Sequence, residues 1–96
     1  MEIIKTPIKD LVVIKPRVFS DARGFFFETY NEERYREAGI TQQFVQDNMS
    51  KSSYGVVRGL HFQKPPYSQA KLVQVIEGAV LDVAVDLRSD SATYGQ

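Results

Sequence analysis

Short apolar runs separated by turn-forming residues predict strands in the first third of the chain. Leu11 to Ile14 is a β-branched run that ends before a proline, and Arg17 to Phe19 extends the predicted strand weakly. Ser20 to Gly24 has the composition of a turn. Phe25 to Tyr30 follows as an aromatic strand, and its unbroken apolar run predicts burial on both faces.

A single helix is predicted after the aromatic strand. Asn31 is a favourable N-cap, and Glu32 and Glu33 place negative charge in the first turn, where the helix dipole favours it. The sequence therefore predicts a short helix over residues 32–38, which Gly39 closes.

The rest of the chain shows the two-residue alternation of strands. Extended segments are predicted at 43–50, 57–63, 71–76 and 80–87, with a turn at 51–55, a proline-containing loop at 64–69 and a hairpin turn at Glu77-Gly78. About six or seven short strands, with turn signals roughly every 8–12 residues, indicate an all-β sandwich or barrel. No closing strand follows, so we expect residues 1–96 to be one domain that forms the N-terminal part of a longer protein.

Composition narrows the class of protein. The 96 residues include 12 Lys+Arg and 12 Asp+Glu, and the zero net charge argues against broad binding to nucleic acid or membrane surfaces. There is no cysteine, so neither a disulfide framework nor a thiolate metal site is expected. No apolar signal segment or membrane-spanning stretch is visible, and a cytoplasmic location is the expectation.

The segment from Val57 to Gln63 contains the candidate chemistry. His61 is the only histidine of the chain, and histidine is the usual side chain for moving a proton near neutral pH. Arg58 offers a rigid fork of donors that suits phosphate. A satisfied structural histidine is the alternative. Because the two residues would face opposite ways in a regular strand, we expect an irregularity at Gly59, or a pocket at a strand end, that lets both reach one site.

Five motifs resemble one family in order and spacing, over nearly the whole chain. They are Asp21–Glu28, Phe44–Asn48, Val57–Gln63, Lys71–Val73 and Asp82–Arg88. The chain resembles the dTDP-4-dehydrorhamnose 3,5-epimerases, which have a cupin-like jelly roll, also called a double-stranded β-helix. The resemblance implies this all-β fold here.

The activity that the resemblance implies is proton transfer without a cofactor or metal. The substrate would be dTDP-4-dehydro-6-deoxyglucose, whose C4 ketone acidifies the protons on C3 and C5. A base removes a proton, an enolate forms, and an acid returns a proton to the opposite face, giving dTDP-4-dehydrorhamnose. The resemblance also implies a homodimer with exchanged N-terminal strands, and neither a nucleic-acid nor a membrane partner.

The resemblance assigns roles to residues of this chain. His61 matches the proton acceptor, and Lys71 matches the lysine that stabilises the enolate beside the ketone. The substrate-binding positions are Phe19, Arg23, Glu28, Gln46, Asp47, Asn48, Arg58 and Lys71. The tyrosine acid, the carboxylate partner of His61 and a second histidine are expected beyond Gln96.

Other readings of the sequence stay open. A metal-binding cupin needs several histidines, and this chain has one, with Gln63 where a second would fall. An epimerase acting at a single carbon, or a ketoisomerase, would share most of the motifs. A non-catalytic module that binds sugar nucleotides is the alternative from another class.

Overall fold

Regular secondary structure lies in the first 37 residues of the computed structural model, which describes all 96 residues of the chain. Two antiparallel hairpins precede one helix. The elements are β1 (Glu2–Lys5), β2 (Val12–Lys15), β3 (Val18–Asp21), β4 (Gly24–Phe27) and α1 (Glu32–Glu37). Strand β1 was not predicted, because Ile3 and Ile4 alone are too short a run to show a periodic pattern.

The first hairpin pairs β1 with β2 in a register that places Glu2 opposite Lys15. Its connection is closed by Thr6, whose Oγ1 donates to the carbonyl oxygen of Leu11 at 2.7 Å. The predicted strand at 11–14 is confirmed with a shift of one residue, because Leu11 belongs to this connection. Asp10 has a φ of +71° there, a left-handed conformation that aspartate tolerates better than most residues.

The second hairpin pairs β3 with β4, with Asp21 opposite Gly24. The turn is shorter than the predicted one at 20–24, and Val18 and Phe19 belong to β3 instead of extending the preceding strand, because they pair with β4. Two expectations for the aromatic strand are wrong. The strand ends at Phe27 instead of Tyr30, and its side chains are not buried on both faces, since Phe25 and Phe26 are 72% and 71% exposed. The physical reason is that this sheet has two strands only, and no other element covers either face.

The predicted helix is confirmed, together with both of its ends. Asn31 Oδ1 accepts a hydrogen bond from the backbone N–H of Arg34 at 3.0 Å. At the other end, the N–H of Gly39 donates to the carbonyl of Arg36 at 3.0 Å, and the N–H of Ile40 donates to that of Tyr35 at 2.8 Å. This is the Schellman arrangement, and Gly39 adopts the positive φ of +95° that it requires.

A small aromatic cluster forms where the helix meets the chain on either side. Tyr35 is the one buried apolar side chain, and its ring lies edge-on to Tyr30 at 4.8 Å between centroids. Tyr30 in turn packs edge-on against Phe44 at 5.3 Å, and the Tyr35 hydroxyl donates to the carbonyl of Thr29 at 3.0 Å. No helix of this chain has the length and apolar composition that crossing a membrane requires.

The second half of the chain forms no backbone ladder, which corrects several predictions. The segments predicted as strands at 43–50, 57–63, 71–76 and 80–87 are unpaired, and the two sides of the Glu77-Gly78 turn do not pair as a hairpin. A strand is stable only beside a neighbour that supplies ladder hydrogen bonds. In these four segments only Asp86 has backbone partners, since its N–H donates to the carbonyl of Gln96 at 2.9 Å and its carbonyl accepts from the N–H of Gly95 at 2.7 Å, and these two bonds form no ladder.

A polar cluster ties the end of the chain to its beginning. The Asp86 side chain is 1% exposed and accepts hydrogen bonds from Ser91 Oγ at 2.5 Å and Thr93 Oγ1 at 2.6 Å. Arg88 Nε donates to Asp86 at 2.9 Å, while Arg88 Nη1 reaches the Asp10 carboxylate at 3.1 Å and Nη2 reaches the Lys9 carbonyl at 2.8 Å. The contact between Arg88 and Asp10 thereby joins two residues that are 78 positions apart in the sequence.

Candidate functional site

The β3–β4 hairpin brings two of the expected substrate-binding residues together. Phe19 on β3 and Arg23 in the turn line one open concavity, and the residues that line it are Phe19, Ser20, Asp21, Arg23, Gly24, Phe25 and Phe26. The guanidinium of Arg17 lies over the Phe19 ring, 4.9 Å from its centroid. An aromatic face beside an arginine suits a ligand with a planar base and an anionic group.

Arg23 is already paired with a carboxylate in this concavity. Its Nη2 lies 2.7 Å from Asp21 Oδ2 and its Nε lies 3.2 Å from the same atom, while its backbone N–H donates to Asp21 Oδ1 at 2.8 Å. The side-chain hydrogen bond from Arg23, followed by the backbone one, lowers the pKa of Asp21 below its usual value. The Arg23 side chain is 90% exposed, so the pair remains open to solvent and to an incoming anion.

Glu28 has an intramolecular partner as well. It follows β4 and forms an ion pair with Arg34 of the helix. The helix therefore fixes the position of the Glu28 carboxylate, and a substrate hydroxyl would have to share this carboxylate with Arg34. Nothing in the local pattern of the sequence indicated this pair, since it depends on how the chain returns from β4 into α1.

The side chains of Gln46 and Asn48 lie together. Gln46 Nε2 donates to Asn48 Oδ1 at 3.3 Å, which places both amides side by side. Asp47 lies between them in sequence and is exposed. This arrangement agrees with an extended chain, in which residues two apart share a face.

Arg58, His61 and Lys71 are all exposed, and no hydrogen bond or ion pair joins them. Arg58 Nη2 donates to Ser52 Oγ at 2.9 Å. Gly59 has a φ of +121°, and the segment around it belongs to no ladder, so the expected irregularity of strand pairing at Gly59 stays a prediction. The shared pocket for Arg58 and His61 stays a prediction. No three side chains of His, Cys, Asp or Glu lie close enough to share a metal ion.

The Asp86 cluster and Ser52 were missed by the sequence reasoning. The sequence does contain a signal for the cluster. Asp86 is followed by Arg88 and by hydroxyl side chains at 91 and 93, and an aspartate in such a segment can form an Asx-type turn. The contact from Ser52 to Arg58 had a weaker signal, namely the turn composition of the residues between them.

A sequence profile described as dTDP-4-dehydrorhamnose 3,5-epimerase matches residues 5–96. The chain therefore belongs to the dTDP-4-dehydrorhamnose 3,5-epimerase family. A relative of that name from Shigella flexneri is 53% identical over 97 residues, covering 100% of this chain and 54% of its own length.

Two solved structures of the same name confirm the fold. The one from Bacillus anthracis, solved with TDP and PPi bound, has a TM-score of 0.93 and 50% identity, covering 99% of this chain and 55% of that one. The one from Elizabethkingia anophelis has a TM-score of 0.90 and 58% identity, covering 98% and 52%. The all-β, cupin-like jelly roll is thus the fold to which this chain contributes.

One relative has a different name. A dTDP-4-dehydrorhamnose 3-epimerase from Streptomyces niveus is 48% identical over 83 residues, covering 85% of this chain and 40% of its own length. The chain spans about half the length of the curated relatives it matches.

Proposed function

We propose that the protein containing this chain is a dTDP-4-dehydrorhamnose 3,5-epimerase, an isomerase that converts dTDP-4-dehydro-6-deoxyglucose to dTDP-4-dehydrorhamnose. The observation that supports this most is the close match in sequence and fold to a structure of that name with TDP and PPi bound. The concavity beside Phe19 and Arg23 adds to it, because it combines an aromatic face with a guanidinium.

His61 is the proton acceptor in this proposal. A neutral imidazole nitrogen takes the proton from the carbon beside the ketone, and the electron pair of that C–H bond moves onto the C4 oxygen as an enolate. Lys71 places an ammonium beside this oxygen and stabilises charge that develops only in the transition state. An acid from outside residues 1–96 then returns a proton to the opposite face of the same carbon.

The remaining site residues hold the substrate. Arg58 and Arg23 bind its anionic diphosphate, because a guanidinium fork matches phosphate geometry. Phe19 stacks on the nucleotide base. Glu28, Gln46, Asp47 and Asn48 offer acceptors and amides to the sugar and base. The reaction needs no cofactor or metal ion, and we place the enzyme in the cytoplasm as a homodimer with exchanged N-terminal strands.

Replacement of His61 tests the proposal. In the full-length protein, His61→Asn should lower turnover about 100- to 10,000-fold, the range that one acid–base group typically supplies. Its affinity for dTDP, measured by calorimetry, should stay that of the wild type. Gln69→Asn, in the exposed proline-containing loop, is the control and should leave turnover unchanged. Near-wild-type turnover in His61→Asn would exclude His61 as the base.

An epimerase that acts at one carbon is the second candidate, and the name of the Streptomyces niveus relative favours keeping it. Deuterium from the solvent separates the two. Incorporation at both C3 and C5 supports the two-site enzyme, and incorporation at C3 alone supports the single-site one. A ketoisomerase would move the carbonyl instead, and a non-catalytic binding module would show dTDP affinity with no exchange at either carbon.

A further inference from the structure

Ser52 has a defined position beside Arg58, a residue of the proposed site. Arg58 Nη2 donates to Ser52 Oγ at 2.9 Å, across six positions of the sequence. It is the one hydrogen bond that the Arg58 guanidinium makes in this structure. Because a serine hydroxyl is uncharged, it can fix the guanidinium without cancelling the positive charge that an anion would seek.

A turn of the backbone creates this contact. The N–H of Val56 donates to the carbonyl of Ser53 at 3.3 Å, and Gly55 has a φ of +87°. A positive φ at this third position of a four-residue turn is typical of type II turns, where glycine is favoured. The turn reverses the chain between Ser52 and Arg58, so the two side chains meet although they are distant along an extended strand.

We infer that Ser52 is a positioning residue that holds the Arg58 guanidinium ready for the diphosphate of the substrate. A free arginine side chain samples many rotamers, and ordering it on binding weakens affinity. The hydroxyl occupies one N–H of the fork and leaves the others for phosphate oxygens. This inference rests on the proposed function, since it assigns Arg58 to the diphosphate.

The test measures binding and turnover of the full-length protein. Ser52→Ala should weaken the affinity for dTDP about 2- to 12-fold, the value of one ordinary hydrogen bond. Inorganic diphosphate should lose affinity by the same factor, because the contact is to the phosphates. The KM for the sugar nucleotide should rise by a similar factor with kcat nearly unchanged, and Ser52→Thr, which keeps the hydroxyl, should restore it.

Two further variants test the neighbouring serine and the turn. Ser53→Ala is the matched control, because the Ser53 side chain makes no hydrogen bond and only its carbonyl serves the turn. Gly55→Ala should weaken dTDP binding in the same direction as Ser52→Ala. No atom lies within 4 Å of a Cβ added at Gly55, so its effect comes from the strained φ of the turn and not from a clash.

A double-mutant cycle decides between positioning and a merely structural role. In an Arg58→Ala background, Ser52→Ala should cause no further loss of dTDP affinity, because its effect passes through Arg58. An equal loss of affinity in both backgrounds would overturn the positioning role of Ser52, and so would unchanged affinity in Ser52→Ala with intact Arg58. Neither result would contradict the proposed function. Wild-type protein that binds no dTDP and shows no epimerase activity would overturn the proposed function as well.

Discussion

The two arginines assigned to the diphosphate differ in the group that each side chain contacts. Arg23 faces the Asp21 carboxylate through its side chain, whereas Arg58 faces a neutral hydroxyl. An incoming phosphate has to compete with Asp21 at Arg23, but meets no negative charge at Arg58. We therefore expect Arg58 to bind an anion more strongly than Arg23, whose positive charge Asp21 partly neutralises.

Removal of the Asp21 charge should strengthen binding at Arg23. In full-length protein, Asp21→Asn keeps an oxygen that can accept from the backbone N–H of Arg23 and so preserves the turn. The guanidinium loses its ionic partner, and we expect dTDP affinity to rise about 2- to 5-fold at low salt, since an exposed ion pair is worth roughly 0.2–1 kcal/mol. Calorimetry at two salt concentrations measures the gain, which should shrink as salt increases.

The control for this change is Arg23→Ala. In that background, Asp21→Asn should leave dTDP affinity unchanged. A gain that persists without Arg23 would mean that Asp21 repels the ligand directly.

Residue-level predictions from the sequence succeeded where the cause is local. Asn31 caps the helix and Gly39 closes it with a positive φ, as the residue types at these positions predict. The Glu28–Arg34 pair and the Ser52–Arg58 contact were not predicted. Each depends on a reversal of the chain, whose geometry brings together residues that no periodic pattern relates.

The N-terminus of α1 is capped by one side chain, that of Asn31. Asn31→Ala removes the acceptor for the Arg34 N–H and should destabilise the full-length protein by about 0.5–2 kcal/mol, the usual cost of losing an N-cap. Asn31→Asp, which retains an acceptor and adds favourable charge at the N-terminus, should be close to the wild type. Chemical denaturation measures both. Equal stability of the alanine variant would show that this cap contributes nothing.

The C-terminal turn is held by a buried carboxylate, and its stability should depend on pH. Hydrogen bonds from Arg88 first, and then from Ser91 and Thr93, hold the pKa of Asp86 far below its usual value of 3.8, although burial opposes them. A carboxyl group with a lowered pKa stabilises the fold fully above its unfolded value. That contribution is lost as the pH falls below 3.8 toward the pKa of the folded state.

We therefore expect Asp86→Asn to be less stable than the wild type at neutral pH, with a gap that narrows as the pH falls below about 4. Denaturation of the full-length proteins over this pH range measures the gap. Asp90→Asn is the control, since Asp90 is exposed and its side chain makes no hydrogen bond. A gap that is constant with pH would show that ionisation of Asp86 does not support the turn.

Elements with complete local signals were predicted well, and those that depend on distant partners were not. The α1 helix has its cap, its acidic first turn and its closing glycine within nine consecutive residues, 31–39. In the β3–β4 hairpin the composition predicted a turn, but the bounds of the two strands were not predicted, since their pairing sets where they begin and end. The four later segments have strand-like alternation but no ladder in this chain, because alternation indicates a strand and does not supply a neighbour.

At the scale of the whole molecule, two contacts from Arg88 join the first eleven residues to the end of the chain. Tyr35 and Asp86 are the only buried residues. A jelly roll places strands from distant parts of its sequence side by side. The chain spans about half the length of the curated relatives it matches, and its later segments have no ladder while many of its apolar side chains are exposed.

We predict that a polypeptide of residues 1–96 alone self-associates and has no epimerase activity. Unpaired strands present N–H and C=O groups that recruit strands from another chain, and exposed apolar side chains add a driving force. Val13 on β2 and Phe25 and Phe26 on β4 are among the exposed apolar residues of the two hairpins. Light scattering should therefore report species larger than a monomer, growing with concentration.

A substitution on the exposed strand β4 tests whether this strand mediates the self-association. Phe26→Lys places a charge on β4, and a charge on an open strand disfavours pairing with another chain. The variant should shift the distribution toward monomer, whereas Tyr54→Lys, in the exposed turn at 51–55, should not. A stable monomer of wild-type 1–96, or epimerase activity from it, would contradict the view that unpaired strands govern the behaviour of this chain.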